Sequence, residues 1–253
     1  MQLKPTERFT TRVESYRHFR PRYPSEIVEA LHRECGLKTN DLVADVAAGT
    51  GLLTEIFLAA AHPVIAIEPN DAMRAVCAAL QSDYPRLQCV HGTAENTGLP
   101  NRSVALVTVA QALHWFDLPA ARAEFARILS PGGWCAVIYN HRRMGGDAFH
   151  DGYESILQTF GTDYSAVQAR HAGPEEIAEF FAPSAVRTLT FANHQDLQLA
   201  GLMGRVLSSS YIPQPGHPQY TAMTRAVETL FTQNQHHGTV RMDYETVLSF
   251  GQL

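Results

Sequence analysis

The chain has 253 residues, of which 45% are hydrophobic and 18% charged, with a formal net charge of -5 at pH 7. This is the balance of a folded globular protein, and the length suits one core carrying an insertion. The acidic balance excludes a general affinity for nucleic acid, whose phosphates demand clustered basic groups, and leaves small molecules as the expected partners.

From the N-terminus, Phe9, Val13 and Tyr16 keep helical spacing until Arg20-Pro21-Arg22-Tyr23-Pro24 stops the run, and Glu26–Glu34 reads as a second helix ending near Gly36. This stretch, residues 1–38, is expected to cap the ligand edge of a core spanning 41–140. Leu42–Ala47 is an apolar strand that runs into the turn Ala48-Gly49-Thr50-Gly51, a helical stretch follows, and a second strand, Val64–Glu68, ends in a carboxylate. That is how a Rossmann-type βαβ unit holds a nucleoside. The glycines let the backbone approach a ligand where a side chain would collide, and Glu68 stands where an acid accepts hydrogen bonds from both ribose hydroxyls. An adenosine-containing cofactor is therefore expected.

Further strands read at Leu87–His91, Val104–Ala110 and Trp134–Asn140, with Pro131-Gly132-Gly133 as a turn immediately before the last of these. Helical patterns between them imply a parallel sheet with helices on both faces. After Asn140 the alternation stops. Residues 141–237 read as helical lid insertions around a strand at 186–193, with helices at Gln195–Leu207 and Tyr220–Gln233, and 239–250 reads as a long final strand. With no repeat and no clear linker, one domain over 1–253 is expected.

Cys35, Cys77, Cys89 and Cys135 are scattered without a C-x-x-C pair and read as small packing groups. No two histidines stand three or four apart as a helical metal site requires, so no metal is expected. The polar N-terminus lacks an apolar signal segment and no apolar run approaches membrane-spanning length, so a cytoplasmic protein with no membrane partner is expected. A nicotinamide fingerprint needs a third glycine, and Thr54 stands in its place. Lys4 and Lys38 are the only lysines, which removes both a Tyr-x-x-x-Lys proton-transfer pair and a P-loop, and no G-x-S-x-G elbow exists.

Asp45–Gly51, Glu68, Thr93-Ala94-Glu95, Gln111-Ala112-Leu113-His114-Trp115-Phe116-Asp117 and Pro131-Gly132-Gly133, in that order, resemble class I S-adenosylmethionine-dependent methyltransferases. The Tyr16…Arg20-Pro21-Arg22-Tyr23-Pro24 entry and the His114-Trp115 step resemble the branch containing trans-aconitate methyltransferase-like enzymes. The resemblance implies a Rossmann-like, seven-stranded, mostly parallel sheet with the last strand antiparallel, and S-adenosyl-L-methionine as cofactor. It implies that Asp45, Ala47, Gly49 and Gly51 line the methionine and ribose side, that Glu68 binds the ribose, and that Met73 packs near the adenine. Ala94 and Glu95 would meet the adenine edge, and the backbone around Ala110 and Gln111 would bind the cofactor's amino group. The family commonly has glycine where this chain has Ala47. A methyl group there is compatible only with negative φ, so a slightly displaced turn is expected.

His114 lies just beyond the fourth strand, where open α/β sheets place their ligands, and is the candidate general base, with Tyr139 and His141 as alternates. A carboxylate acceptor needs no base, and would leave all three as positioning groups. Trp115 or Tyr16 is placed to face the sulfonium, whose charge is attracted to an aromatic face. Arg8 and Arg12 read as solvated. Arg17 and Arg20 are candidates to grip a carboxylate of cofactor or substrate, and Arg142 and Arg143 to do so from the other side. If two of these converge, an anionic acceptor is expected. The resulting reading is a methyltransferase, monomeric or homodimeric, acting on a small, carboxylated molecule. The rivals are an NAD(P)-dependent oxidoreductase and a non-catalytic S-adenosylmethionine-binding protein on the same scaffold.

Overall fold

The computed structural model describes residues 13–165 and 173–253, so Arg8, Phe9 and Arg12 lie outside the described residues. Helix α1, Val13–Phe19, stops at the proline-rich entry, and α2, Glu26–Cys35, ends at Gly36, whose φ of 67° supplies the left-handed cap. Five parallel strands follow: β1 Val43–Val46, β2 Val64–Ile67, β3 Leu87–Val90, β4 Val104–Ala110 and β5 Leu129–Arg142. They alternate with helices α3 Leu52–Ala59, α4 Asp71–Ala78 and α5 Leu118–Ile128. Helices α6, Ala148–Phe160, and α7, Pro174–Phe181, precede β6, Arg187–Leu197; α8, Leu199–Leu207, and α9, Tyr220–Asn234, separate it from β7, Val240–Gly251.

The sheet order is β3-β2-β1-β4-β5-β7-β6, and β7 runs antiparallel between β5 and β6. This is the expected seven-stranded, mostly parallel sheet with an antiparallel last strand and helices on both faces. Both faces are buried, which is why the central strands read as continuous apolar runs. Successive residues serve opposite cores: Ala44, Val46, Val107 and Val109 pack with Phe125 of α5 and Phe181 of α7, while Val43, Val64 and Leu106 pack with Leu31 of α2 and Phe57 of α3. A third core joins Tyr153, Leu202 and Val227 of the lid helices to Val240, Met242 and Tyr244. Strand β7 therefore belongs to both halves, since Leu248 and Phe250 at its other end lie in the sheet core.

Two expectations are corrected. Pro131-Gly132-Gly133 is not a turn ahead of the fifth strand but an excursion within it: Val104 pairs with Leu129 and Leu106 with Trp134, so Ser130–Gly133 loop out opposite Ala105. Gly132 takes a φ of 79° at this bulge. Strand β6 also runs on to Leu197, past its expected end, because its whole length pairs with β7.

Candidate active site

The chain leaves β1 toward β2 and β3 on one side, then returns to β4 on the other. Neighbouring connections diverge at this switch point and open a crevice beyond the carboxyl ends of β1 and β4. The turn after β1 lines it. Its backbone is left-handed at Ala47, Gly49 and Gly51, with φ of 56°, 58° and 82°. At Gly51 the requirement is also steric, because a Cβ would stand 2.8 Å from Cys77 Sγ and 2.9 Å from Leu80 Cδ1. Ala47 corrects the expectation of a displaced turn with negative φ. The chain keeps the tight turn and carries the methyl group in the left-handed region, where an L-residue is strained.

Glu68 closes β2 and points back into this turn. Its Oε2 accepts the Gly49 N–H at 2.8 Å and its Oε1 the Asn70 N–H at 2.8 Å. Burial pushes its pKa up, and these two N–H donors oppose the rise. A carboxylate oxygen has two lone pairs, so each retains one for a ribose hydroxyl. The Asn70 side chain caps α4 by accepting the Met73 N–H at 2.9 Å, and Met73 Sδ lies 3.8 Å from where a Cβ on Gly49 would be. Glycine turn, acid and thioether thus form one surface that fits a nucleoside: approachable backbone, a pair of acceptors and a polarizable apolar contact.

Asp45 stands behind the turn. It is 1% exposed, and its carboxylate accepts from Thr54 Oγ1 at 2.5 Å and Thr108 Oγ1 at 3.0 Å. Burial raises its pKa to about 6, against the lowering effect of the two hydroxyls. Ala94 is buried in the sheet core, whereas Glu95 Oε1 accepts the Asp117 N–H at 3.0 Å and tethers the segment after Trp115. Ala110 still pairs with Ile138; Gln111 then takes a φ of 57°, breaks the strand, and donates from Nε2 to Asn140 O at 3.2 Å.

A cavity of about 290 Å³ adjoins this turn, near the lower end of small-molecule sites. Tyr16, Arg20, Gln111, His114 and His141 all line it, so these sequence-selected residues do come together. His114 belongs to the short turn Leu113–Trp115, where fully buried Leu113 anchors the backbone. Its Nδ1 is 3.2 Å from Tyr139 Oη, and Tyr139 stacks on His141, the next residue on the same face of β5, at 5.7 Å between ring centroids. Tyr139 is 2% exposed, so it supports His114 from behind rather than lining the cavity.

The arginines divide. Arg17 and Arg22 both reach Glu55 Oε2, at 3.0 and 2.5 Å, and so clamp the N-terminal segment onto α3. Arg143 lies outside the cavity lining, on Asp147 and Asp243 at 3.6 and 3.4 Å. Arg142 lines the cavity but is paired with Glu154 and packs over the Tyr153 ring at 4.8 Å. Arg20 lies over the Tyr16 ring at 5.0 Å and donates to Ser208 O at 3.1 Å, while its Nε is buried with no hydrogen-bond partner among the described residues. Sequence reasoning missed Arg205 and Tyr211, which share this cavity. A signal existed, since Arg205 is the lone charge in the apolar helix Leu199–Leu207.

Among the described residues no helix is long and apolar enough to cross a membrane, and no three His, Cys, Asp or Glu side chains are grouped to hold a metal. The model of a family described as a methyltransferase domain matches residues 44–137, the span from β1 through most of β5. A relative in Mycobacterium tuberculosis, an uncharacterized methyltransferase, is 37% identical over 227 residues, 88% of this chain and 86% of its own length. UbiE of Campylobacter jejuni, a ubiquinone/menaquinone biosynthesis C-methyltransferase, is 28% identical over 137 residues, 49% of this chain and 57% of that protein. The fold is shared with an Anaeromyxobacter dehalogenans protein assigned to the type II methyltransferases, with a TM-score of 0.66 at 22% identity over 92% of this chain and 98% of that one. With a relative at 37% identity along most of both chains and a methyltransferase-domain match over residues 44–137, this chain belongs to the class I S-adenosylmethionine-dependent methyltransferases, and S-adenosylmethionine is its cofactor.

Proposed function

We propose that this enzyme methylates a small acceptor carrying a carboxylate, held in the cavity under α1 and α8. The observation that carries the reading is the lining itself: Arg20, which meets no carboxylate among the described residues, shares one small cavity with Arg205 and His114. The Tyr16-to-Pro24 entry and the His114-Trp115 step support placing the chain near the trans-aconitate methyltransferase-like branch.

The residues divide the work. Glu68, the Gly49–Gly51 turn and Met73 hold the nucleoside; Tyr16 is placed for the methionine end, with Ala110 and Gln111 at its amino group, and Arg20 is left for the acceptor. When bound, S-adenosylmethionine supplies a methyl group already activated by the positive sulfonium. The protein's main task is then to hold the acceptor in line with that methyl group and keep water out. His114 takes the proton of an acceptor that is protonated in its resting state, and Tyr139 sets the plane of its imidazole ring. Tyr16 and Trp115 offer aromatic faces to positive charge.

The test uses methyl-labelled S-adenosylmethionine and a fractionated pool of small metabolites. Label should enter a product of low molecular mass that binds an anion exchanger. Label confined to neutral or cationic products would refute the carboxylate. Uptake of S-adenosylmethionine without S-adenosylhomocysteine formation from any fraction would favour a binding protein, and thermal stabilisation by NAD(P) alone would favour an oxidoreductase.

A further inference from the structure

Arg205 is 7% exposed on α8, yet it lines the cavity. Its Nε donates to Tyr244 Oη at 3.0 Å and its Nη1 to Ser209 Oγ at 3.4 Å. Tyr244 donates in turn to Gln195 Oε1 at 2.7 Å, and Gln195 Nε2 to Phe19 O at 3.1 Å. The guanidinium is therefore held in place by a chain of neutral groups running from β7 through β6 to α1. Helix α8 comes this close to α1 because Gly204 has no side chain: a Cβ there would lie 2.4 Å from the Phe19 ring. That approach brings Arg205 beside Arg20, whose pKa is pushed down by burial and then by the Arg205 charge. Neither guanidinium meets a carboxylate among the described residues.

Two like charges, one buried and one half-buried, packed together on a cavity wall are costly unless an anion joins them. Arg142 is already neutralised by Glu154, so the uncompensated charge lies on Arg20 and Arg205. Three of their N–H donors are committed to Ser208, Tyr244 and Ser209, and those remaining are enough to hold both oxygens of a carboxylate in a small cavity.

Resting on the small-acceptor reading above, we infer that Arg205, with Arg20, seats a carboxylate of the acceptor that is not the methylated group. The methylated atom is a protonated oxygen or nitrogen at His114. A carboxylate gripped by two guanidiniums has its charge neutralised and its lone pairs engaged, which makes it a poor nucleophile. The His114–Tyr139 pair would serve no proton-transfer purpose for a carboxylate acceptor. In the transfer, the acceptor's lone pair forms the new bond to the methyl carbon as the carbon–sulfur bond breaks. The electron pair of that bond stays on sulfur, and the acceptor's proton passes to the His114 imidazole.

The experiment is calorimetry on full-length protein saturated with S-adenosylhomocysteine, with benzoate and malonate as probes at constant ionic strength. At least one probe should bind, its uncharged amide should not, and Arg205→Met should weaken the probe at least tenfold while S-adenosylhomocysteine binds as before. Arg205→Lys, which keeps the charge and loses the fork, should fall between, and it serves if Arg205→Met does not fold. Equal carboxylate affinity in wild type and variant, binding of the amide, or binding of inorganic phosphate in place of both carboxylates would overturn the inference. Failure of wild type to bind S-adenosylhomocysteine would instead strike the reading on which it rests.

Discussion

Replacing Asp45 with asparagine should stabilise the protein at alkaline pH and leave it nearly unchanged in acid. Asp45 is sealed beneath the glycine turn, and its pKa rises from 3.8 to about 6 because burial disfavours the charged form. A carboxyl group with a raised folded-state pKa favours folding most below its unfolded value, and that contribution is lost as pH rises from 3.8 through about 6. The shift of about two units corresponds to about 3 kcal/mol of stability absent at pH 8. Asparagine stays neutral and still offers an acceptor to Thr54. Thr108 can accept from the new amide while donating to Ala44 O, which lies 3.5 Å from its hydroxyl. For a chain of this length such a gain raises Tm by roughly 6–10 °C. Denaturation of ligand-free Asp45→Asn and wild type at pH 4, 6 and 8 reads it directly. A difference independent of pH, or a variant less stable at pH 8, would refute the reasoning.

Ala47→Gly should raise stability by about 1 kcal/mol, because relief of the left-handed methyl outweighs the extra freedom of glycine in the unfolded chain; a lower Tm in the variant would mean that the Ala47 methyl packs favourably. Glu68→Ala should weaken S-adenosylhomocysteine binding by roughly 1.5–3 kcal/mol, or about 10- to 150-fold, as charge-assisted acceptors are lost; an unchanged Kd in calorimetry would remove Glu68 from the ribose site. His114→Ala should lower kcat about a hundredfold or more with little change in cofactor Kd, and Tyr139→Phe should lower it less. Equal turnover in the His114 variant would make that residue a packing group.

The parallel strands were legible to within a residue or so for β1 to β4, because short β-branched apolar runs bounded by turn residues repeat between helical stretches, and burial on both faces makes the central ones nearly continuous. Pro131-Gly132-Gly133 misled because proline and glycine signal a break in the hydrogen-bond ladder without saying whether the strand resumes. Glu68 was legible from its place after an apolar run, and His114 from its place after β4. Arg17 was not, since its partner Glu55 lies 38 positions away and nothing local announces the pair. Arg205 was visible as a charge in an apolar helix, but its meaning depends on Gly204 admitting Phe19, a contact between the two ends of the chain. Tyr139 was placed on the correct strand, while its depth behind His114 depends on packing that periodicity does not encode.

Strand β7 places a limit on how this enzyme can diversify. A strand has one register, and a slip by a single residue to improve the contacts of Met242 and Tyr244 with the lid would turn Leu248 and Phe250 out of the sheet interior. Selection for a new acceptor is thereby confined to side chains exchanged one at a time around the cavity, on α1, α8 and the Leu113–Trp115 turn. The backbone that carries both halves has to stay as it is.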